Sequence, residues 1–261
     1  MPEFSSHPSG TFCWPELATT DQKGAVAFYR ALFGWDVVEA PMGPTETYSM
    51  FNIKGKSVGA AYSMRAEERQ HGVPPHWSSY VTVPNADDAV KRAQALGAKV
   101  LAPALDVMDA GRMAVLQDPT GATFCVWQAG KHFGAALLRE PGALGWTELA
   151  TRDTKAAEKF YTSLFGWTAK TGTDAGMEYT EFSNQGASQA GMMPMMPQMG
   201  NAPPYWMPYF EVADCDAAVT KAKELGGRIY APATDIPKVG RFAVLADHQG
   251  AVFAVIKMAR A

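Results

Sequence analysis

The chain has 261 residues, 47% of them hydrophobic and 19% charged, with 23 Lys and Arg against 26 Asp and Glu for a formal charge of −3. That length suits two small domains, each burying a core of its own. So even a balance excludes binding to nucleic acid or an anionic membrane by net charge alone, leaving a small molecule or a protein as the partner.

In chain order, residues 12–18 read as a strand. Asp21 then caps a helix whose apolar residues Val26, Phe28, Tyr29 and Leu32 recur near a 3.6-residue period and which stops at Gly34. Short strands follow at 36–39, 48–53 and 57–64. A second pass opens with a strand at 78–83. Its helix starts at Asn85, buries Ala86, Ala89, Val90, Ala93 and Leu96, and ends at Gly97. Strands at 98–101, 112–117 and 122–128 complete it. The pattern is βαβββ, twice.

The same pattern then repeats. Phe28-Tyr-Arg-Ala-Leu-Phe-Gly-Trp35 recurs as Phe160-Tyr-Thr-Ser-Leu-Phe-Gly-Trp167, and Trp14-Pro-Glu-Leu-Ala-Thr-Thr-Asp21 as Trp146-Thr-Glu-Leu-Ala-Thr-Arg-Asp153, both at an offset of 132. Gly111-Arg-Met-Ala-Val-Leu116 recurs as Gly240-Arg-Phe-Ala-Val-Leu245 at an offset of 129, which places the first copy's extra residues between 36 and 74. The expected organisation is a domain at 11–129, a linker at 130–143 and a second domain at 144–258. Phe133, Leu137 and Leu138 give the linker apolar character, so it is expected to pack rather than hang free. Several short strands per helix and short connections predict an α+β fold of antiparallel-rich, cupped sheets, with a ligand on the concave face.

The Phe-Tyr-x-x-Leu-Phe-Gly-Trp helix end and the late turns Asp118-Pro-Thr-Gly-Ala-Thr-Phe124 and Asp247-His-Gln-Gly-Ala-Val-Phe253 resemble the vicinal oxygen chelate superfamily, which holds glyoxalase I, bleomycin-resistance proteins and extradiol dioxygenases. The tandem form is similar to a two-domain group labelled glyoxalase-like or hydroxylase. The resemblance implies four βαβββ modules making two half-open barrels. It also implies a divalent metal held by four His or Glu ligands from the first and last strands of paired modules, acting as a Lewis acid on substrate oxygens. Here those positions fall on Trp14 and Trp146, Ser78 and Met207, Cys125 and Ala254, and the stretches 59–62 and 191–194. Neither stretch offers a carboxylate or an imidazole, and Trp, Ser, Met and Ala do not ligate such an ion. The expectation is therefore no standard metal site and no cofactor.

By strand alternation Glu16 and Glu148 share a face with Trp14 and Trp146. A carboxylate in an apolar cup has its neutral form favoured, so these two are the candidate general bases; a structural carboxylate bonded to backbone or to a Tyr or Arg is the alternative. Trp14, Ser78, Tyr80 and Cys125 in the first cup, and Trp146, Met193, Met207 and Tyr209 in the second, are the candidate ligand-binding residues. Trp77, Trp127 and Trp206 are expected to extend the aromatic lining or rim, which suits planar or apolar ligands. His76 is the available base were Cys125 a nucleophile, and Arg112 and Arg241 read as braces to Asp106 and Asp235 or as anion binders.

Three functions compete: a metal-independent binding protein for a small apolar or aromatic molecule, a metal-dependent glyoxalase- or dioxygenase-like enzyme, and a non-catalytic interaction module. The sequence starts with no basic-then-apolar leader, has no run near the ~18 apolar residues of a membrane span, and carries three widely spaced cysteines, Cys13, Cys125 and Cys215. A cytoplasmic protein with reduced thiols is expected, monomeric because the tandem chain supplies its own module pairing, with a dimer as the alternative.

Overall fold

The computed structural model describes residues 3–43, 46–173 and 176–259. The first half runs β1 (Phe12–Thr19), α1 (Gln22–Phe33), β2 (Asp36–Pro41), β3 (Thr47–Ile53), β4 (Lys56–Ser63), a short α2 (Ala66–Gln70), β5 (His76–Thr82), α3 (Ala86–Ala95), β6 (Lys99–Val107), β7 (Gly111–Gln117) and β8 (Thr123–Ala129). The second half runs β9 (Leu144–Thr151), α4 (Thr154–Phe165), β10 (Thr168–Gly172), β11 (Tyr179–Asn184), β12 (Ala187–Pro194), a 3₁₀ turn (Pro197–Met199), β13 (Tyr205–Glu211), α5 (Cys215–Glu224), β14 (Arg228–Ile236), β15 (Gly240–Ala246) and β16 (Val252–Met258). Each half forms one open eight-stranded sheet, in the orders β2-β3-β4-β1-β5-β8-β7-β6 and β10-β11-β12-β9-β13-β16-β15-β14. Two βαβββ modules meet in each sheet along an antiparallel seam, β1 with β5 and β9 with β13. The fold is the expected α+β tandem.

Local chemistry explains the helix ends. Asp21 accepts from Gly24 N at 3.0 Å and Asp153 from Ala156 N at 2.9 Å, each satisfying a donor that a helix start leaves free. At the other end Gly34 (φ 72°) and Gly166 (φ 73°) take the left-handed turn that closes α1 and α4.

Two details differ from the sequence reading. β6 runs on to Val107 through Pro103, because bulges between Val100 and Ala102 and between Ala102 and Leu105 absorb the residue that cannot donate to the ladder. The first half's extra residues also divide. Glu16 pairs with Ala60 and Glu148 with Gly191, an offset of 131, whereas Ala18 pairs with His76 and Ala150 with Tyr205, an offset of 129. Two of the three therefore lie around α2.

The helices cover the convex faces, and those faces pack on each other across the halves, α1 against α5 and α3 against α4. Leu17, Phe28, Tyr29, Trp35, Phe51 and Trp77 are buried with Phe210, Ala222 and Phe253, and Phe12, Val81 and Phe124 with Phe160, Tyr161, Trp167 and Trp206. Trp77 and Trp206 thus belong to the core between the sheets and not to the cups, because alternation along β5 and β13 turns them away from Ser78 and Met207. Each core holds a polar lock. Asp118 Oδ1 accepts from the amides of Thr120, Gly121 and Ala122 at 2.7–3.0 Å, while its Oδ2 accepts from the Tyr161 hydroxyl at 2.7 Å. Asp247 holds its own turn in the same way, and Tyr29 donates to it at 3.2 Å. Trp206 and Trp77 donate to those tyrosine oxygens at 2.7 and 3.0 Å.

The linker packs as expected. Leu137 and Leu138 are 0% and 7% exposed, Ala135 N donates to Cys13 O and Ala136 N to Ser57 O, both at 2.8 Å, and the N-terminal segment lies over it through His7 Nε2 and Ala135 O at 2.8 Å.

Candidate functional site

The concave face of each sheet carries one carboxylate at its centre. In the first cup the Tyr48 hydroxyl donates to Glu16 Oε1 at 2.5 Å and the Tyr80 hydroxyl to Oε2 at 2.6 Å. Trp14 Nε1 donates to the Tyr48 oxygen at 3.0 Å. In the second, Tyr209 donates to Glu148 Oε1 at 2.6 Å, Tyr179 to Oε2 at 2.9 Å, and Trp146 Nε1 to the Tyr179 oxygen at 3.0 Å. Each set is a directed chain, indole N–H to phenol oxygen and phenol O–H to carboxylate.

Register explains the convergence. Glu16 on β1 stands opposite Ser78 and next to Ala60, Trp14 stands opposite Tyr80, and Tyr80 stands beside Cys125. Glu148 stands opposite Met207 and next to Gly191, Trp146 opposite Tyr209, and Tyr209 beside Ala254. Met193, two residues on from Gly191, faces the same way. The structure therefore gathers Trp14, Glu16, Ser78, Tyr80 and Cys125 in one cup and Trp146, Glu148, Met193, Met207 and Tyr209 in the other. Tyr48 and Tyr179, absent from the sequence-based candidates, complete them. Their signal was the repeat itself: Tyr48-Ser-Met-Phe51 and Tyr179-Thr-Glu-Phe182 match at the intermediate offset of 131.

Burial pushes both Glu carboxyls above their usual value, opposed by the two tyrosine hydrogen bonds in each cup and, at Glu16, by the charge of His76. The phenols move up too: burial first and the neighbouring carboxylate second hold Tyr48, Tyr80, Tyr179 and Tyr209 protonated. Such a site can hold or accept a proton at the carboxylate and present phenol hydrogens to an oxygen.

Other candidates have different roles. Burial and the Glu16 charge push the Cys125 thiol up, and His76 Nδ1 faces the Pro74 carbonyl at 2.9 Å, so neither half of a thiolate pair is set up. Arg112 is bound by Asp87 and Asp106 at 2.9 Å each, and Arg241 by Asp216 at 2.8 Å and Asp235 at 3.1 Å, as braces between a strand and a neighbouring helix. His132 of the linker packs edge-on against Trp14, with ring centroids 4.6 Å apart, and accepts the Trp127 indole hydrogen on its carbonyl at 2.9 Å. Burial lowers its imidazole to about 4, so it is neutral above that.

The metal of the resembled superfamily can be tested against these side chains. The positions that would supply ligands hold indole, hydroxyl, thioether, methyl and a protonated thiol, and the central carboxylates Glu16 and Glu148 have both oxygens bonded to phenols. Among the described residues no group of three His, Cys, Asp or Glu side chains gathers as a metal site. The donor set does not fit a four-ligand divalent ion.

Residues 16–127 match the family described as "Glyoxalase-like domain", and residues 143–255 match the "Glyoxalase/Bleomycin resistance protein/Dioxygenase superfamily". The chain is 41% identical over 261 residues to "Putative glyoxylase CFP32" of Mycobacterium tuberculosis, covering 99% of both chains. It is 34% identical over 264 residues to the "Anthracycline biosynthesis protein DnrV" of Streptomyces peucetius, covering 95% of this chain and 94% of that one. Among solved structures, the Mn(II)-bound glyoxalase from Novosphingobium aromaticivorans superposes with a TM-score of 0.64 at 15% identity, over 95% of this chain and 82% of that one. The 2,3-dioxygenase LapB from Pseudomonas sp. KL28 gives 0.61 at 13% identity, over 97% and 94%. At such identities the structures report the fold alone. No helix among the described residues is long and apolar enough to cross a membrane. Two family matches, one in each half, and relatives alike along nearly the whole chain make this protein a member of the glyoxalase/bleomycin resistance protein/dioxygenase superfamily.

Proposed function

We propose that the protein binds a small aromatic or apolar molecule in its concave face without the superfamily's divalent metal, with Glu16 and Glu148 as the proton-accepting groups of the cups. The observation that carries this reading is the duplicated set itself: a buried carboxylate with two phenol donors and an indole, built twice on the concave face of a sheet. A flat molecule with an oxygen at its edge suits the set, since indole and phenol faces contact the ring while the phenol–carboxylate pair exchanges hydrogen bonds with the oxygen. The Streptomyces relative is named for anthracycline biosynthesis, which supports the same class.

The test is a titration of tag-free protein with 1,8-dihydroxyanthraquinone, followed by tryptophan fluorescence with and without chelator, alongside elemental analysis of the purified protein. Saturable binding unchanged by chelator, weakened at least tenfold in the Glu16→Gln/Glu148→Gln double variant, is the expected result. A stoichiometric Fe, Mn, Ni or Zn content, or binding that appears only on adding metal, overturns the reading.

A further inference from the structure

The two cups share an inner set but differ in what stands over it. Directly opposite Glu16, on the neighbouring strand, is Ser78; opposite Glu148 the same position is Met207. Directly opposed residues in an antiparallel pair have β-carbons about 5 Å apart, so whatever grows from that position lies beside the carboxylate. Serine stops at a hydroxyl, whereas methionine reaches two atoms further and adapts to the space it finds. Exposure follows the chemistry. Met207 is 6% exposed, Met193 7% and Glu148 8%, whereas Glu16, Ser78, Tyr62 and His76 all keep partial access to solvent.

The surrounding wall differs too, with Met50 beside Ala60 in the first cup and Glu181 beside Gly191 in the second, and the positions past the carboxylate differ in the sense of Ser78 and Met207. Tyr62 and His76 line the first cup where Met193 and Tyr205 line the second, and the Tyr62 hydroxyl donates to Glu68 of α2 at 2.9 Å. Glu68, which holds the Tyr62 hydroxyl, lies on α2, in the stretch where the first half gains two residues. Glu16 therefore has hydroxyl and imidazole neighbours and a route to water, and Glu148 has thioethers above it.

We infer that the cups have diverged at their carboxylates, one open to solvent beside Ser78 and one covered by thioethers: the first takes a ligand that presents a hydroxyl or carbonyl oxygen to Glu16 and Ser78, and the side chain at positions 78 and 207 decides which carboxylate a ligand reaches. This rests on the metal-free binding proposed above, yet it can be tested without a ligand. A water-soluble carbodiimide activates a reachable carboxyl, and glycine ethyl ester then displaces the urea to leave an amide that peptide mass mapping reads at each glutamate.

On the native chain Glu16 is expected to be labelled at least fivefold faster than Glu148, and after denaturation both at one rate. Met207→Ser is expected to raise Glu148 labelling several-fold and leave Glu16 unchanged. Ser78→Met is expected to lower Glu16 labelling several-fold and leave Glu148 unchanged. The untouched cup reports folding within each variant. Equal native rates, or exchanges that move neither site, overturn the inference. In a second arm, 1,8-dihydroxyanthraquinone is expected to slow labelling at Glu16 only; protection at Glu148 alone also overturns it. Absence of any quinone binding, with the labelling difference intact, would defeat the binding proposal and leave the divergence of the cups standing.

Discussion

The two cups are the same device closed from opposite ends. At its indole end the first cup is shut: Trp14 is 4% exposed and lies beneath His132, and the linker holding that ring is bonded to Cys13 O and Ser57 O. At its carboxylate end it is open past Ser78. The second cup reverses this, with Trp146 partly exposed and Glu148 lying with Met193 and Met207 in a buried group. Identical inner sets in unlike walls separate two properties that a single domain would confound. The phenol–carboxylate geometry follows from strand register, which the repeat preserves, and access follows from side-chain length at one or two positions, which duplication leaves free to drift.

The sharpest way to break this comparison is at Gly191. A β-carbon there would collide with the Tyr179 hydroxyl and stand 2.9 Å from Trp146 Nε1, whereas the first cup carries Ala60 at the same register position. Gly191→Ala is expected to cost about 1–3 kcal/mol, as overpacking in a formed site does. Ala60→Gly should cost under about 1 kcal/mol. Denaturant unfolding of both variants measures the difference. Equal costs would mean that the second cup can adopt the first cup's arrangement and that the walls matter less than stated.

A smaller effect, about 1 kcal/mol, is expected from Glu148→Gln and Glu16→Gln, which keep one acceptor oxygen and remove the charge. Here pH gives the sharper reading. Both carboxyls are pushed up by burial, so the stability each contributes is complete below the value of the unfolded chain, near 4.5, and is lost as pH rises through the raised folded value. Relative to its Gln variant, wild type is thus most favoured near pH 4.5 and loses ground toward pH 8. The slope is expected to be steeper for Glu148 than for Glu16, whose partial access to water and facing His76 ease the charged form. Thermal melts across that range test this. A flat difference for both variants would mean that neither carboxyl is raised.

How much of this could be read from the sequence depends on what each motif does. The most visible repeats, Phe-Tyr-x-x-Leu-Phe-Gly-Trp and the Asp-x-x-Gly-Ala turns, are the two parts of the locks between the halves, Tyr161 on Asp118 and Tyr29 on Asp247. They stand out because buried polar pairs tolerate few replacements. Glu16, Tyr80 and their counterparts followed from alternation along single strands. Tyr48 and Tyr179 did not, since they come from β3 and β11, two strands away from the carboxylate across β4 and β12, and only sheet order brings them in. Aromatic character alone points Trp77 and Trp206 to the lining or rim, whereas their parity with Ser78 and Met207 turns them into the core. Where the sequence spoke through a two-residue period it placed side chains correctly. Where placement needed the order of strands, the repeat marks Tyr48 and Tyr179 as a pair but does not bring them to the carboxylate.

The indole end offers the last comparison, and one of its two replacements is expected to have the smallest effect. Trp14 and Trp146 each donate to a tyrosine oxygen at 3.0 Å, so replacement by Phe removes the same hydrogen bond from each cup. The surroundings then decide the outcome. At Trp146, which is partly exposed, water can take the place of the lost N–H, and Trp146→Phe is expected to cost no more than about 0.5 kcal/mol. At Trp14 the ring is buried under His132, so the Tyr48 oxygen is left without a donor beside a new gap, and Trp14→Phe is expected to cost about 1–2 kcal/mol. His132→Ala should narrow that gap, because uncovering Trp14 gives water the access it already has at Trp146. If Trp14→Phe and Trp146→Phe cost the same in denaturant unfolding, and His132→Ala changes neither, the linker does not close the first cup and the opposed openings of the two sites fall with it.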